Sequence, residues 1–225
     1  MTTNPLDAKR YREIRDAAGL VLVEHSDGRM PVMPRAIFEH MGGCRVVAYS
    51  QYEQQHLARH SLQAAGVFAS RDACTLYERE TGRCLVLYDD GDNALRVPGR
   101  LRWTLAHEMG HVVLGHLKDH DGARFDLGGL PEESYRRLER EADYFAAMLL
   151  AHPALLRACA IASADQLQGF CGLSQPAAQA RFAQLRRSVI APSAVDALVE
   201  KHFEQVIWER NLPFATEGDL ERYGR

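Results

Sequence analysis

Leu101–His116, LRWTLAHEMGHVVLGH, is the stretch on which the reading of this chain turns. Within it His107, Glu108 and His111 form the pattern H-E-x-x-H. In a helix, residues four apart share one face, so the two imidazoles can converge on one divalent cation. Glu108, beside the first histidine, can then reach a water at that cation as a general base. The flanks require a buried helix, because Trp103, Leu105, Ala106, Met109, Val112, Val113 and Leu114 leave almost no face for solvent. Histidines and a glutamate are costly to bury in such a helix without a metal or polar partners. Pro98-Gly99 marks its start and Gly115 its end. Gly110 stands in the helix interior, where glycine costs about 1 kcal/mol against alanine. A neighbouring backbone passing very close would explain it.

Working outward toward the N-terminus, Leu6 to Ala18 has the spacing of an amphipathic helix closed by Gly19. Leu20 to Val23 is expected as a short strand. A helix beginning at Pro34 carries Ile37, Phe38 and Met41 and stops at Gly42-Gly43. Arg45 to Tyr49 alternates like a strand, and Tyr52 to Ala65 makes a polar helix. Cys74 to Glu78 and Cys84 to Tyr88 flank a glycine-containing turn and predict a hairpin. A strand just before the H-E-x-x-H helix would border its cleft and offer an edge to an extended peptide; equally, the hairpin would simply cover one side of the core.

On the other side of the motif, Lys118 to Gly129 is rich in Asp, His and Gly and predicts a surface loop. Pro131-Glu132-Glu133 then opens a helix to about Leu150, with proline and acids in its first turn. A catalytic zinc site usually has three protein ligands, and the third is sought among His116, His120, Asp119, Glu139, Glu141 and Asp143. A histidine six residues after His111 would signal a metzincin, but Leu117 stands there. In the second helix the apolar stripe is Leu138, Ala142, Phe145, Met148 and Leu149, and Glu141 lies on it. A core-facing carboxylate needs a compensating charge. A divalent cation would supply it, as would an arginine such as Arg137 or Arg140. Glu141 is therefore the expected third ligand, with Glu139 in reserve.

T-L-A-H-E-M-G-H-V-V-L-G-H, followed by E-R-E-A-D-Y-F-A-A-M-L-L, resembles the ImmA/IrrE family of metallo-endopeptidases over roughly residues 30–153. The resemblance implies an α+β, zincin-like core with a gluzincin-like site, in which His107, His111 and Glu141 are ligands and Glu108 is the base. It further implies a cytoplasmic protein that cleaves a helix-turn-helix repressor and so switches on genes. One departure is Leu149-Leu150-Ala151-His152-Pro153, where the family usually has Leu-Leu-Met-Pro. Behind the core, Ser163 and Ser174 are placed to cap two short helices around Cys171-Gly172-Leu173, resembling a helix-turn-helix. Arg181, Arg186 and Arg187 give it only a thin basic footprint, so direct nucleic-acid binding is not expected. Ala194 to Arg210 forms a last helix. The expected division is a metallopeptidase domain over residues 1–155 and a helical subdomain with a polar tail over 156–225.

With 27 Lys and Arg against 30 Asp and Glu, the charge balance argues for neither nucleic acid nor an acidic membrane surface. The first residues lack the apolar core of a signal peptide, and no apolar run approaches a membrane span. Five cysteines in that setting are expected as free thiols. The cofactor expected is one divalent metal, zinc or alternatively manganese, since a His/His/Glu set accepts several ions. The partner expected is a protein substrate. A metal-dependent regulator that sequesters a repressor without hydrolysis is the alternative, and Glu108 favours the enzyme, since a binder needs no base there. Possible oxyanion donors are His116 and Tyr144.

Overall fold

Alternating apolar residues in Cys44–Ala48 (β1), Ala73–Glu78 (β2) and Arg83–Tyr88 (β3) build one three-stranded sheet in the order β1-β3-β2. The computed structural model describes residues 7–57, 72–78, 80–91, 99–118, 131–187 and 191–214. Asp119, His120, most of the expected loop after Lys118, and the end of the polar tail lie outside these residues. β2 and β3 form the expected antiparallel hairpin, with Gly82 at φ +67° in its turn. β1 runs parallel to β3. The central strand β3 buries Val86 and Leu87 completely.

The register places Cys44 directly opposite Cys84, and the two are joined in a disulfide. This corrects the expectation of free thiols throughout. Cys74 is opposite Leu87 rather than Cys84, and Cys74, Cys159 and Cys171 are not in disulfides. The hairpin spacing alone could not show the pairing, because Cys44 comes from a strand outside the hairpin.

Ala8–His25 (α1) is one continuous helix, capped by Asp7, whose carboxylate accepts from the Arg10 amide. The expected stop at Gly19 and strand at Leu20–Val23 do not form. Gly19 lies inside the helix for a packing reason: a Cβ there would stand 2.6 Å from Val195 Cγ1 and 3.2 Å from His152 Nε2. The following apolar residues Val21 and Leu22 are buried as a helix face. Pro34–Met41 (α2) forms as expected and buries Ile37 and Phe38. The chain then passes through β1 into the short helix Tyr49–Tyr52 (α3) and a π-helical turn at Glu53–Leu57.

Arg100–Val113 (α4) carries the H-E-x-x-H pattern, and Glu132–Leu150 (α5) packs against it on one side and against α1 on the other. The C-terminal half of α5 is therefore buried nearly all round, with Ala142, Phe145, Ala146, Met148 and Leu149 fully enclosed. Pro153–Ala158 (α6) starts at His152, whose Nδ1 accepts from the Ala154 amide at 3.3 Å. Ala164–Cys171 (α7) and Gln175–Arg187 (α8) pack together about Gly172, at φ +58°. Ser163 caps α7 by accepting from the Gln166 amide at 3.1 Å. Ala194–His202 (α9) and Glu204–Asn211 (α10) replace the single last helix expected. The break falls at Phe203, which is wholly buried while α10 buries none of its residues. α9 is tied back to α1 through the buried Arg15, which donates to the Ala191 carbonyl at 2.9 Å and faces Asp196. The molecule is thus α+β, mainly helical. Among the described residues no helix is long and apolar enough to cross a membrane.

Candidate metal centre

Gly110 decides how α4 and α5 meet. A Cβ at that position would stand 2.9 Å from Ala142 Cα and 3.1 Å from its carbonyl oxygen, so glycine is what lets the two backbones approach, as the sequence suggested. The line of contact runs along Ala142. At 100° per residue, Glu139 and Asp143 lie together on one flank of that line and Glu141 lies on the other.

The consequence is a donor group of His107, His111 and Glu139. Their ligand atoms all fall within 4.8 Å of one another. His107 Nε2 and His111 Nε2 are 3.1 Å apart, and each is 3.4 Å from a different oxygen of Glu139. Nitrogens held 2.0–2.1 Å from a tetrahedral zinc would be separated by about 3.3 Å. Two imidazoles and a carboxylate at this spacing fit one divalent ion.

Glu141, the expected third ligand, does not join this group. Its carboxylate accepts from Arg10 Nε at 3.0 Å and from Arg10 Nη2, and it lies 3.2 Å from His116 Nε2. The compensating charge is an arginine after all, chiefly Arg10 on α1, with the local Arg137 Nε pairing more distantly at 3.9 Å from the other carboxylate oxygen. The physical reason is that α5 has two buried flanks. A single apolar stripe marks the core side of a helix packed on one neighbour, and it cannot say which of two neighbours holds the histidines. His116, another candidate, stands behind His111, its Nδ1 3.1 Å from that residue's Nδ1. Tyr144 packs edge-on against Tyr11, at a centroid distance of 4.7 Å, and lines a neighbouring cavity instead of the cleft.

The side chains around the donors hold them in place. Asp143 Oδ1 is 2.9 Å from His107 Nδ1, so both histidines have a partner at the nitrogen facing away from Glu139. Burial disfavours charge on His107, yet hydrogen bonds to Asp143 and Glu139 outweigh it and raise its pKa to about 10. Burial likewise works against the Glu139 carboxylate, but His107 and His111 hold its pKa down to about 2. Glu141 follows the same pattern, with burial overcome by hydrogen bonds from His116 and Arg10, and also reaches about 2. Burial is the main influence on His116 and lowers its pKa.

Glu108 points to the sheet side, where it accepts from Thr75 Oγ1 at 2.5 Å. Thr75 is on β2, the edge strand, and Ala73 to Thr75 form one wall of a cleft of about 410 Å³ that contains Glu108 and the three donors. The strand along the cleft is therefore β2; β3, the nearer in sequence, is covered on both edges. A second cavity of about 650 Å³ adjoins the cleft, sharing Trp103 and Asp143 with it.

Sequence reasoning weighed Asp143 only as a ligand and not as the partner of His107, and it missed Thr75 and Arg10. For Asp143 a signal was present: Glu139 and Asp143 are four apart on one face, and Ala142 is the small residue that a close-packed Gly110 requires opposite it. For Thr75 and Arg10, distant in sequence, no comparable signal exists.

Residues 92–169, which contain α4, α5 and all the donors above, match the family model Peptidase_M78, described as the IrrE N-terminal-like domain. No curated protein matches the chain. The segment that carries the candidate centre is thus similar to the IrrE-like M78 peptidase domain.

Proposed function

We propose that this protein is a metal-dependent endopeptidase, with zinc or manganese held by His107, His111 and Glu139, and that it cuts a protein substrate lying along β2. The observation that carries the reading is the placing of Glu108 beside three converging donors, in a cleft whose wall is the edge of a sheet. The sheet, α4 and α5 then correspond to a zincin-like core within residues 1–155. An extended segment of substrate would add to the edge of β2, which pairs with no other strand among the described residues, by main-chain hydrogen bonds. The bound metal would supply Lewis acidity for the scissile carbonyl and a nucleophile at neutral pH. Glu108 takes the proton of the attacking water and delivers it to the departing amine. Thr75 holds Glu108 toward the cleft, and Asp143 holds His107 so that its Nε2 faces Glu139.

The substrate class we propose is a helix-turn-helix repressor, whose cleavage would switch on gene expression. α7 and α8 form a helix-turn-helix-like unit within residues 156–225, for which we favour contact with the repressor over reading of DNA. Arg181, one of the three arginines of its basic footprint, is only 4% exposed. Its guanidinium is committed to the Ala151 carbonyl at 2.8 Å.

The test is incubation of the purified protein with the repressor encoded beside its gene, with and without chelator. The parent should yield a discrete fragment that chelation prevents. Glu108→Gln should retain the metal and lower cleavage about 10²–10⁴-fold. Cleavage at the parent rate by that variant would remove Glu108 from its role, and induction of the genes without any cleavage would favour sequestration.

A further inference from the structure

Building on the metallopeptidase reading above, we infer that Arg10, Glu141 and His116 form a positioning chain that fixes which nitrogen of His111 faces the metal. The chain is continuous. His111 Nδ1 is 3.1 Å from His116 Nδ1, His116 Nε2 is 3.2 Å from Glu141 Oε2, and Arg10 Nε donates to the same oxygen at 3.0 Å. His111, His116 and Glu141 are 3%, 6% and 4% exposed, so solvent offers these atoms few alternative partners.

Donor and acceptor roles in the chain converge on Glu141 from both ends. A guanidinium has only donors, so Glu141 accepts from Arg10 and, as a carboxylate, also accepts from His116. His116 therefore carries its hydrogen on Nε2 and presents Nδ1 as an acceptor. Facing that acceptor, His111 must carry its hydrogen on Nδ1. Its Nε2 then carries the ring's lone pair, and this is the atom that faces His107 and Glu139. A cation on α1 thus sets the ligating face of a histidine on α4 through three hydrogen bonds, although Arg10 and Glu141 lie 131 residues apart.

The two histidines of the motif are held in different ways. His107 is oriented directly by Asp143, a carboxylate with a side chain 57% exposed at the rim. His111 faces another imidazole, which has a defined polarity only because Glu141 and Arg10 stand behind it. This arrangement gives the second acid of the E-R-E-A-D run a task of its own, separate from that of Glu139.

The experiment has two parts. In the zinc-loaded parent, nitrogen-15 NMR of the histidine rings should show the hydrogen of His111 on Nδ1 and that of His116 on Nε2. Zinc dissociation constants, measured by competition with a chromophoric chelator, should rise about 10–100-fold in His116→Phe. His116→Gln should recover most of the loss, because its amide offers one acceptor and one donor. Arg10→Met should shift in the same direction by less. The visible spectrum of the cobalt-loaded protein should change in His116→Phe and return toward the parent in His116→Gln. A purely structural role would lower the melting temperature of these variants and leave the zinc constant and cobalt spectrum as in the parent, which would overturn the inference. So would a hydrogen on Nδ1 of His116, a result that needs no variant to fold. His107→Ala and Glu139→Ala separate the two levels of the argument. If both keep zinc, the metallopeptidase reading fails; if both lose it while His116→Phe binds like the parent, only the positioning chain fails.

Discussion

The two flanks of α5 carry acids into the protein for different ends. On the flank toward α4, Glu139 and Asp143 turn to the histidines of the motif and are 29% and 57% exposed at the side chain. On the flank toward α1, Glu141 is sealed between Arg10 and His116 with a side chain 5% exposed. The difference is one of unfinished against finished polarity. Glu141 has partners that satisfy it within the protein. Glu139 meets two imidazole nitrogens already crowded to 3.1 Å of each other, an arrangement that gains most from a cation. A helix with two buried flanks can hold a structural ion pair on one and a reactive group on the other, only two residues apart.

The largest expected effects come from exchanging these acids for alanine. Glu139→Ala should weaken metal binding by more than about 100-fold, beyond what loss of an outer partner costs, and abolish cleavage with it. Its stability in chelator should also fall, since Glu139 loses its pairing with His107 and His111, but by less than in Glu141→Ala because Glu139 is the more exposed acid. Glu141→Ala should show the opposite balance, with unfolding easier by about 3 kcal/mol or somewhat less, because Arg10 keeps partial access to water. Metal affinity should fall only as far as displacement of His116 allows. Chelator competition and urea unfolding on both variants decide the matter. If Glu141→Ala strips the metal while Glu139→Ala retains it, the two flanks have been assigned the wrong way round. Asp143→Ala, on the Glu139 side but one layer out, should weaken the metal by about 10–100-fold.

What could be seen in the sequence follows the range of the interactions. His107, Glu108 and His111 are set by one helical repeat, so spacing alone brings them together. The close approach at Gly110 was legible because glycine in a helix interior needs an explanation. The choice between Glu139 and Glu141 was not settled by the stripe, since the partner deciding it is Arg10 on α1, far away in the chain. Gly19 misled for the same reason: a helix stop and a tight crossing with Val195 use the same residue, and only the tertiary contact tells them apart. The Cys44–Cys84 pair depends on a parallel register that no hairpin pattern encodes. The turn, cap and periodicity signals of α2, α7 and the β2–β3 hairpin are local, and those elements form where expected.

His152 extends the comparison to a buried polar group that is not fully satisfied. It sits past the end of α5, 1% exposed, with Nε2 lacking a hydrogen-bond partner among the described residues. Burial is the main cause that lowers its pKa to about 4. Above pH 6.5 the ring is neutral folded or unfolded, and no stability is lost. As the pH falls from 6.5 toward 4 the unfolded chain takes up the proton first. The folded state should then lose about 3 kcal/mol in all, because each pH unit between the two pKa values is worth about 1.36 kcal/mol. His152→Asn keeps a capping acceptor and removes the titration. Between pH 7.5 and 5.0, its urea unfolding in chelator should lose about 2 kcal/mol less than the parent's. Equal losses would mean that His152 is not the group responsible.

The smallest effects test the contact line itself, by adding one methyl group to each of two helical glycines. Gly169, in α7, has nothing within 4 Å of a Cβ. Gly169→Ala should therefore stabilise by about 0.5–1 kcal/mol, through helix preference and a less free unfolded chain. Gly110→Ala gains a similar preference of about 1 kcal/mol, but its methyl would lie 2.9 Å from Ala142 Cα. That neighbour is backbone, so relief requires the helices to separate. Overpacking of this kind costs about 1–3 kcal/mol, and the net should be a loss of about 1 kcal/mol. Ala142→Gly should not rescue it, since the clash is with atoms that glycine also has. Separation of α4 from α5 draws Glu139 away from both histidines but leaves Arg10 and Glu141 together. Metal affinity should therefore fall in Gly110→Ala and stay unchanged in Gly169→Ala. Stability curves and chelator competition on the pair measure both quantities, and a Gly110→Ala protein with parent-like metal affinity would show that the histidine–Glu139 spacing does not depend on this crossing.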